Sequence, residues 1–352
     1  MSLALDPRSV LAIATGHMAS RALCVATRMG YFDELSAASL PSGEVARRTG
    51  SDPDAALRLL RALASLGLAS EDAPGQFSIT ELALPLRRGA AASVRELVLL
   101  FGSERTWRSW EHLADSMRSG RAASLDLYAM NGFDYFERHP AQAATFHAAM
   151  AEVSHLSAPA LVRVYDFACH ESIADIGGGS GALIAQVLAA APAARGLLFD
   201  LATALHGAAQ QLRDAGVQDR CEVLAGDFFE AIPTGVDLYL LKNILHDWDD
   251  ARCARILARL RAAMRPGSTA MLVERVVAER TEASADHRQV AIMDLNMLVT
   301  SGGRERTAAQ FDALLRDAGL HLIEPPRRLP APSPYALLRA CVAGDHPNGS
   351  PA

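Results

Sequence analysis

Ser172-Ile173-Ala174-Asp175-Ile176 is an apolar run of β type that ends beside an acid and passes directly into Gly177-Gly178-Gly179-Ser180-Gly181. Ala182 to Leu188 then reads as the opening of a helix. Strand, glycine turn and helix start, in that order, aim backbone N–H groups and the positive end of a helix at one point, a device that holds nucleotide-like ligands. The same order commits the surrounding chain to a doubly wound parallel sheet, since parallel strands need helical crossovers. From Leu161 onward the alternation continues, with strands expected at 172–176, 195–199, 221–225, 236–241, 269–273, 320–323 and 336–343. Five prolines between Pro325 and Pro334 form a rigid connection before the last strand.

The first 160 residues read differently. Pro7 to Met29 is a helix ending at Gly30, Ser42 to Gly50 a short helix, and Ala55 to Leu66 a longer one after the turn Ser51-Asp52-Pro53-Asp54. Two short strands about Pro74-Gly75 follow, within residues 68–80. Helix, turn, helix and β-wing is the winged-helix pattern, which serves DNA recognition in some proteins and packing or dimerisation in others. Glu71 and Asp72 in the wing would repel phosphate, and the net charge of −6 gives no basic face for nucleic acid. The expected domains are residues 1–160, residues 161–345 and a tail at 346–352.

The five cysteines are scattered and odd in number, without a Cys-x-x-Cys pair, as expected of reduced thiols in a cytoplasmic protein. No run approaches the roughly 20 apolar residues of a membrane span, and Met1 to Pro7 has no signal-peptide character. Neither membrane nor nucleic acid is therefore expected as a partner. The chain holds 33 arginines and one lysine, Lys242, four residues before His246, where a compact ammonium could serve a purpose a guanidinium cannot.

The glycines alone also satisfy G-x-G-x-x-A, so they do not separate nicotinamide from other adenosine cofactors. The remaining strand ends do. Asp200 closes the second strand, where a carboxylate can take both ribose hydroxyls. Asp227 and Phe228 close the third, placing an acid and an aromatic where an adenine would lie. Asp237 opens the fourth strand and Lys242 ends it, with His246 just beyond as a candidate proton acceptor. Each aspartate taken singly is as readily a cap or turn residue; the ordered set matches an S-adenosylmethionine site better than a dinucleotide site.

With these motifs, and with Lys242-x-x-x-His246-Asp247-Trp248 and Gly302-Gly303-Arg304-Glu305-Arg306-Thr307, the chain resembles the small-molecule O-methyltransferases of the caffeate and hydroxyindole type, including bacterial enzymes that tailor phenazines and aromatic polyketides. The resemblance implies a C-terminal Rossmann-like methyltransferase domain, a mostly parallel seven-stranded sheet, behind a winged-helix-like domain that forms a homodimer. It implies His246 as general base flanked by Glu274 and Glu305. Cofactor contacts would fall on Gly177, Asp200, Asp227, Phe228 and Lys242, and no metal would be needed. It implies an aromatic acceptor held by Phe136, Phe146, Met150, Val153, Met293 and Met297. Phe136 stands where plant members often have a histidine, and Ser301 lacks the amide some use. A larger, flatter acceptor such as a phenazine, quinone or polyketide is expected.

The chemistry supports the analogy. A phenol near pKa 10 is a poor nucleophile at neutral pH; a histidine near ~6.5 can take its proton as the oxygen attacks, and a carboxylate on the other ring nitrogen fixes the tautomer. Two alternatives remain open. The same fold can support N-methylation, or cofactor-assisted hydroxylation or decarboxylation; a winged-helix ligand sensor is the other class.

Overall fold

The structure, a computed structural model, describes residues 7–130, 132–331, 333–342 and 344; the tail expected at 346–352 lies outside the described residues. Two compact units divide the chain between Trp107 and Arg108. The break expected near residue 160 thus lies earlier. The helix Pro140–Val164 lays Ala158 and Leu161 into the same apolar core as the sheet, so the segment before residue 160 belongs to the C-terminal unit.

In the N-terminal unit, α1 spans Pro7–Met29, α2 Ser42–Thr49 and α3 Pro53–Ser65. Asp52 starts α3 by accepting the Ala55 N–H at 2.9 Å, with Pro53 in the first helical position. β1 (Leu40–Pro41), β2 (Ala69–Ala73) and β3 (Gln76–Ile79) pair antiparallel in the order β1-β3-β2, which completes the winged-helix-like arrangement. Tyr31, Phe32, Leu60, Leu63 and Phe77 form its core, each worth ~1.5–3 kcal/mol relative to an exposed side chain.

α1 corrects one expectation. By length and composition it is apolar enough to cross a membrane, although only 17% of its apolar window is buried. Arg21 and Arg28 tie it to the rest of its unit: both guanidinium groups donate to Gly102 O at 3.1 Å. Val10, Leu11, Ile13 and Met18 are exposed.

In the C-terminal unit the seven main strands run in the order β10-β12-β8-β7-β4-β5-β6. Their spans are β4 Ser172–Ile176, β5 Arg195–Asp200, β6 Cys221–Ala225, β7 Leu238–Lys242, β8 Thr269–Val277, β10 Leu320–Leu322 and β12 Tyr335–Val342, with the short β11, Arg327–Arg328, paired to β12. β4 to β8 are parallel; β12 runs antiparallel to both β8 and β10. α4 (Pro140–Val164) and α5 (Ala182–Ala190) cover one face of the sheet through Leu161, Leu183 and Val187. α6 (Asp250–Ala263) and α8 (Ala308–Asp317) cover the other through Leu257 and Phe311. α7 spans Ala285–Thr300.

β8 runs past its expected end at Val273, because Val276 and Val277 find a partner in the short strand β9, Arg306–Thr307. This pairing joins the Gly302–Thr307 segment to the strand that carries Glu274. The register Asp175↔Leu240 and Lys242↔Val273 puts the C-terminal strand ends in one row, the edge where open α/β sheets bind ligands.

Candidate active site

The glycine turn is pressed against the sheet below and open above. Gly177 and Gly179 adopt φ values of 70° and 58°, which side chains rarely tolerate. A Cβ on Gly178 would lie 2.5 Å from Leu198 Cδ1 and 2.6 Å from Asp175 Cγ, whereas one on Gly179 would meet nothing within 4 Å. Asp200 closes the side of the turn: its Oδ2 accepts the Gly179 N–H at 2.8 Å and its Oδ1 the Leu201 N–H at 2.7 Å. Burial pushes its carboxyl above the usual range despite these donors. Phe228 borders the Gly177 side, 3.6 Å from where a Cβ would stand, and is 5.0 Å from the Phe229 ring. Asp227 is half-buried and accepts the Phe229 N–H at 2.7 Å.

A buried acid and a half-buried lysine lie at this edge. Burial pushes Asp175 up to about 7, and its Oδ2 has no hydrogen-bond partner. Lys242, lowered by burial, donates from Nζ to Ser154 Oγ of α4 at 3.4 Å.

His246 stands in the turn after β7, and four groups fix that turn. Glu274 Oε1 accepts the N–H groups of Ile244 at 3.0 Å and Leu245 at 2.9 Å. Arg306, only 1% exposed, donates to Leu245 O and Trp248 O at 2.8 Å each and to Asp250. The Arg304 N–H reaches His246 O at 2.9 Å. Asn243, at φ 56°, donates from Nδ2 to the Tyr335 hydroxyl at 3.0 Å. A non-glycine residue in this region is held there by its surroundings.

The imidazole itself is buried, with Nδ1 3.1 Å from Glu305 Oε1 and Nε2 3.8 Å from Asp247 Oδ1. In the neutral ring the Glu305 partner favours the tautomer with the proton on Nδ1. Burial opposes a charge on the ring, but Asp247, Glu305 and Glu274 outweigh it and push the imidazole up to about 10. At Glu274, by contrast, burial prevails and pushes the carboxyl up to about 7, whereas His246 and Arg275 bring Glu305 below its ordinary value in spite of burial.

Ligand-type atoms of His246, Glu274 and Glu305 lie within 4.8 Å of one another, a spacing that would also suit a cation. Here Nδ1 is committed to Glu305, and Glu274 Oε1 to two backbone donors. Asp175 Oδ2, Asn243 Oδ1, Glu274 Oε2, Arg275 Nε and Glu305 Oε2 are buried without hydrogen-bond partners among the described residues. Such atoms cost ~1–3 kcal/mol each when left unmade; their gathering at one strand edge marks a site built for a polar ligand.

Along α4, Phe146, Met150 and Val153 share one helical face, and Phe146 stacks on Phe136 with ring centroids 4.5 Å apart. Met293 and Met297, half-buried on α7, lie one turn apart ahead of the Gly302–Thr307 segment.

A family model of an O-methyltransferase domain matches residues 110–321, and one of an O-methyltransferase dimerisation domain matches residues 11–86. This chain belongs to the small-molecule O-methyltransferase family. The O-demethylpuromycin O-methyltransferase of Streptomyces alboniger is 38% identical over 333 residues, 94% of this chain and 88% of that protein. The phenazine O-methyltransferase of Lysobacter antibioticus is 36% identical over 331 residues, 94% of this chain and 95% of its own length. Among solved structures, human N-acetylserotonin methyltransferase in complex with S-adenosylmethionine superposes with a TM-score of 0.85 at 27% identity, covering 97% of this chain and 99% of that one. An α/β methyltransferase domain behind a helical dimerisation domain is the architecture of the family.

In this O-methyltransferase the sequence-named residues His246, Glu274 and Glu305 converge in one cluster, and Gly177, Asp200 and Phe228 in one cradle. Asn243, Arg275, Arg306 and Tyr335 were not singled out. Arg306 stood within a quoted motif, but its task depends on two carbonyls it meets only in the fold.

Proposed function

We propose that the protein transfers a methyl group from S-adenosylmethionine to a hydroxyl of a flat aromatic secondary metabolite, with His246 as general base and without a metal. The observation that carries this reading is the buried His246, whose Nδ1 is held by Glu305 beside an open glycine cradle. The cradle would hold the nucleoside. Asp200 would take the ribose hydroxyls, Phe228 with Asp227 would border the adenine, and Lys242 would meet the methionyl end.

S-adenosylmethionine would supply a methyl group bonded to a sulfonium, with a neutral thioether as the leaving group. His246 Nε2 would take the proton of the acceptor hydroxyl as its oxygen bonds to that carbon, and Glu305 would balance the imidazolium that results. Before ligands enter, the surrounding carboxylates keep the ring charged. A positive charge brought to the same strand edge loosens that proton, so the base forms as the complex assembles. Glu274 contributes by holding the His246 turn through its two backbone donors.

Phe136, Phe146, Met150, Val153, Met293 and Met297 would form the apolar wall for the acceptor, methionine adapting to flat rings. The names of the relatives, a phenazine O-methyltransferase and an O-demethylpuromycin O-methyltransferase, support an aromatic acceptor. Residues 11–86 would form a homodimer and cover the apolar side chains that α1 exposes.

The test is mass-spectrometric detection of methylated product from a panel of hydroxyphenazines, hydroxynaphthoates and hydroxybenzoates, with and without chelator. Chelator-resistant product on a hydroxyl supports the reading. Product on nitrogen, or calorimetric binding of S-adenosylhomocysteine with no transfer to any acceptor, would favour the altered chemistries.

A further inference from the structure

His246 faces acidic groups from every side. Asp247 approaches from its own turn, Glu305 from the segment before β9 and Glu274 from β8, while the Tyr335 phenol of β12 and Asp294, bonded to the Glu305 N–H at 2.8 Å, lie behind them. Lys242 and Arg306 border this group, and the cation that enters it, paired with Glu305, is Arg275. Its side chain is 12% exposed, and Nη1 lies 3.4 Å from Glu305 Oε1, the same oxygen that meets His246 Nδ1. Arg275 and Tyr335 are direct partners in the β8–β12 register, and the guanidinium carbon lies 4.9 Å from the phenol ring centroid. Lys242 Nζ lies 5.2 Å from that ring, and the phenol is anchored by Asn243, three residues before the base.

We propose that Arg275, seated on the Tyr335 ring, is a positioning residue for the base: it shares Glu305 Oε1 with His246, and its charge sets the pH at which the imidazole can accept a proton. This inference rests on His246 acting as general base. Removing a positive charge raises the proton affinity of both members of the His246–Glu305 pair, which titrate together. The upper step belongs to the imidazole, so the free base appears only at higher pH.

The experiment follows the His246 ring directly, by NMR titration of full-length protein carrying 13Cε1-labelled histidine and saturated with S-adenosylhomocysteine. The His246 signal is identified by its loss in H246Q. Turnover against pH is measured in parallel on whichever panel acceptor is methylated. R275M should raise the imidazole midpoint by about one pH unit and carry the acid limb of kcat with it; R275K, which keeps the charge, should stay near wild type. Should R275M fail to fold, R275Q removes the same charge and should show the same rise. A rate that falls equally at every pH with an unmoved midpoint, or R275K behaving like the uncharged variants, overturns the inference. H246Q with wild-type turnover would instead overturn the base assignment itself.

Discussion

Gly303→Ala tests whether the position of His246, rather than its presence, controls turnover. A Cβ on Gly303 would stand 2.5 Å from Asp247 C and 2.8 Å from Trp248 N, and closer still to His246 O. All three are backbone atoms of the turn that carries the base, so no side chain can rotate away. Ordinary contact between heavy atoms needs about 3.5 Å, which requires a retreat of about 1 Å from Asp247 C, and more from His246 O, by either segment. Both move the same site: the turn holds His246, and the Gly303 segment leads to Glu305. A misplacement of about 1 Å costs roughly 100-fold in rate, while overpacking costs about 1–3 kcal/mol of stability. The assay is turnover of a methylated panel acceptor beside calorimetric titration with S-adenosylhomocysteine, whose cradle lies on β4 and β5. Turnover should fall about 100-fold with little change in cofactor affinity. Turnover within about threefold of wild type in a folded G303A protein would refute the reasoning.

Three further outcomes follow from the same geometry. Asp200→Asn should weaken S-adenosylhomocysteine binding about tenfold to 100-fold, through loss of charge-assisted bonds; an unchanged dissociation constant would remove Asp200 from the ribose site. Arg306→Met leaves Leu245 O and Trp248 O without their buried donor and should cost about 1–3 kcal/mol for each carbonyl in urea unfolding; equal midpoints would contradict the clamp. Asp175 has a folded pKa of about 7, raised by burial, so its contribution to stability is present below about pH 4 and lost as pH rises through 7. Asp175→Asn should therefore gain on wild type by on the order of 2–4 kcal/mol between pH 5 and 8, and parallel stability–pH curves would show otherwise.

Most elements were legible because each carries a local signal. Asp52-Pro53 starts α3 with a cap and a first-turn proline, and the glycine turn after Ile176 marks the end of β4. Helical spacing read α1 correctly, while its apolar length was underrated because Arg8, Arg21 and Arg28 interrupt the run. The end of β8 was missed for a different reason. Glu274 and Arg275 become strand through pairing with Ala336 and Tyr335, and Val276 and Val277 through pairing with Arg306 and Thr307 about thirty positions away, and no local pattern carries that information. The same distance concealed Arg275 and Tyr335, which meet across β8 and β12. The domain boundary was misplaced because the change to alternating strands begins at 172, while α4 before it already packs with the sheet.

The central claim is that His246 takes the acceptor's proton, and the most direct measurement is the methyl-transfer rate of His246→Ala beside its affinity for S-adenosylhomocysteine. A positioned base contributes about 100-fold to 10,000-fold. The account predicts a loss in that range with cofactor affinity within about threefold of wild type, because the cradle residues Gly177, Asp200 and Phe228 stand on other strand ends. Transfer by H246A within about tenfold of wild type would contradict it.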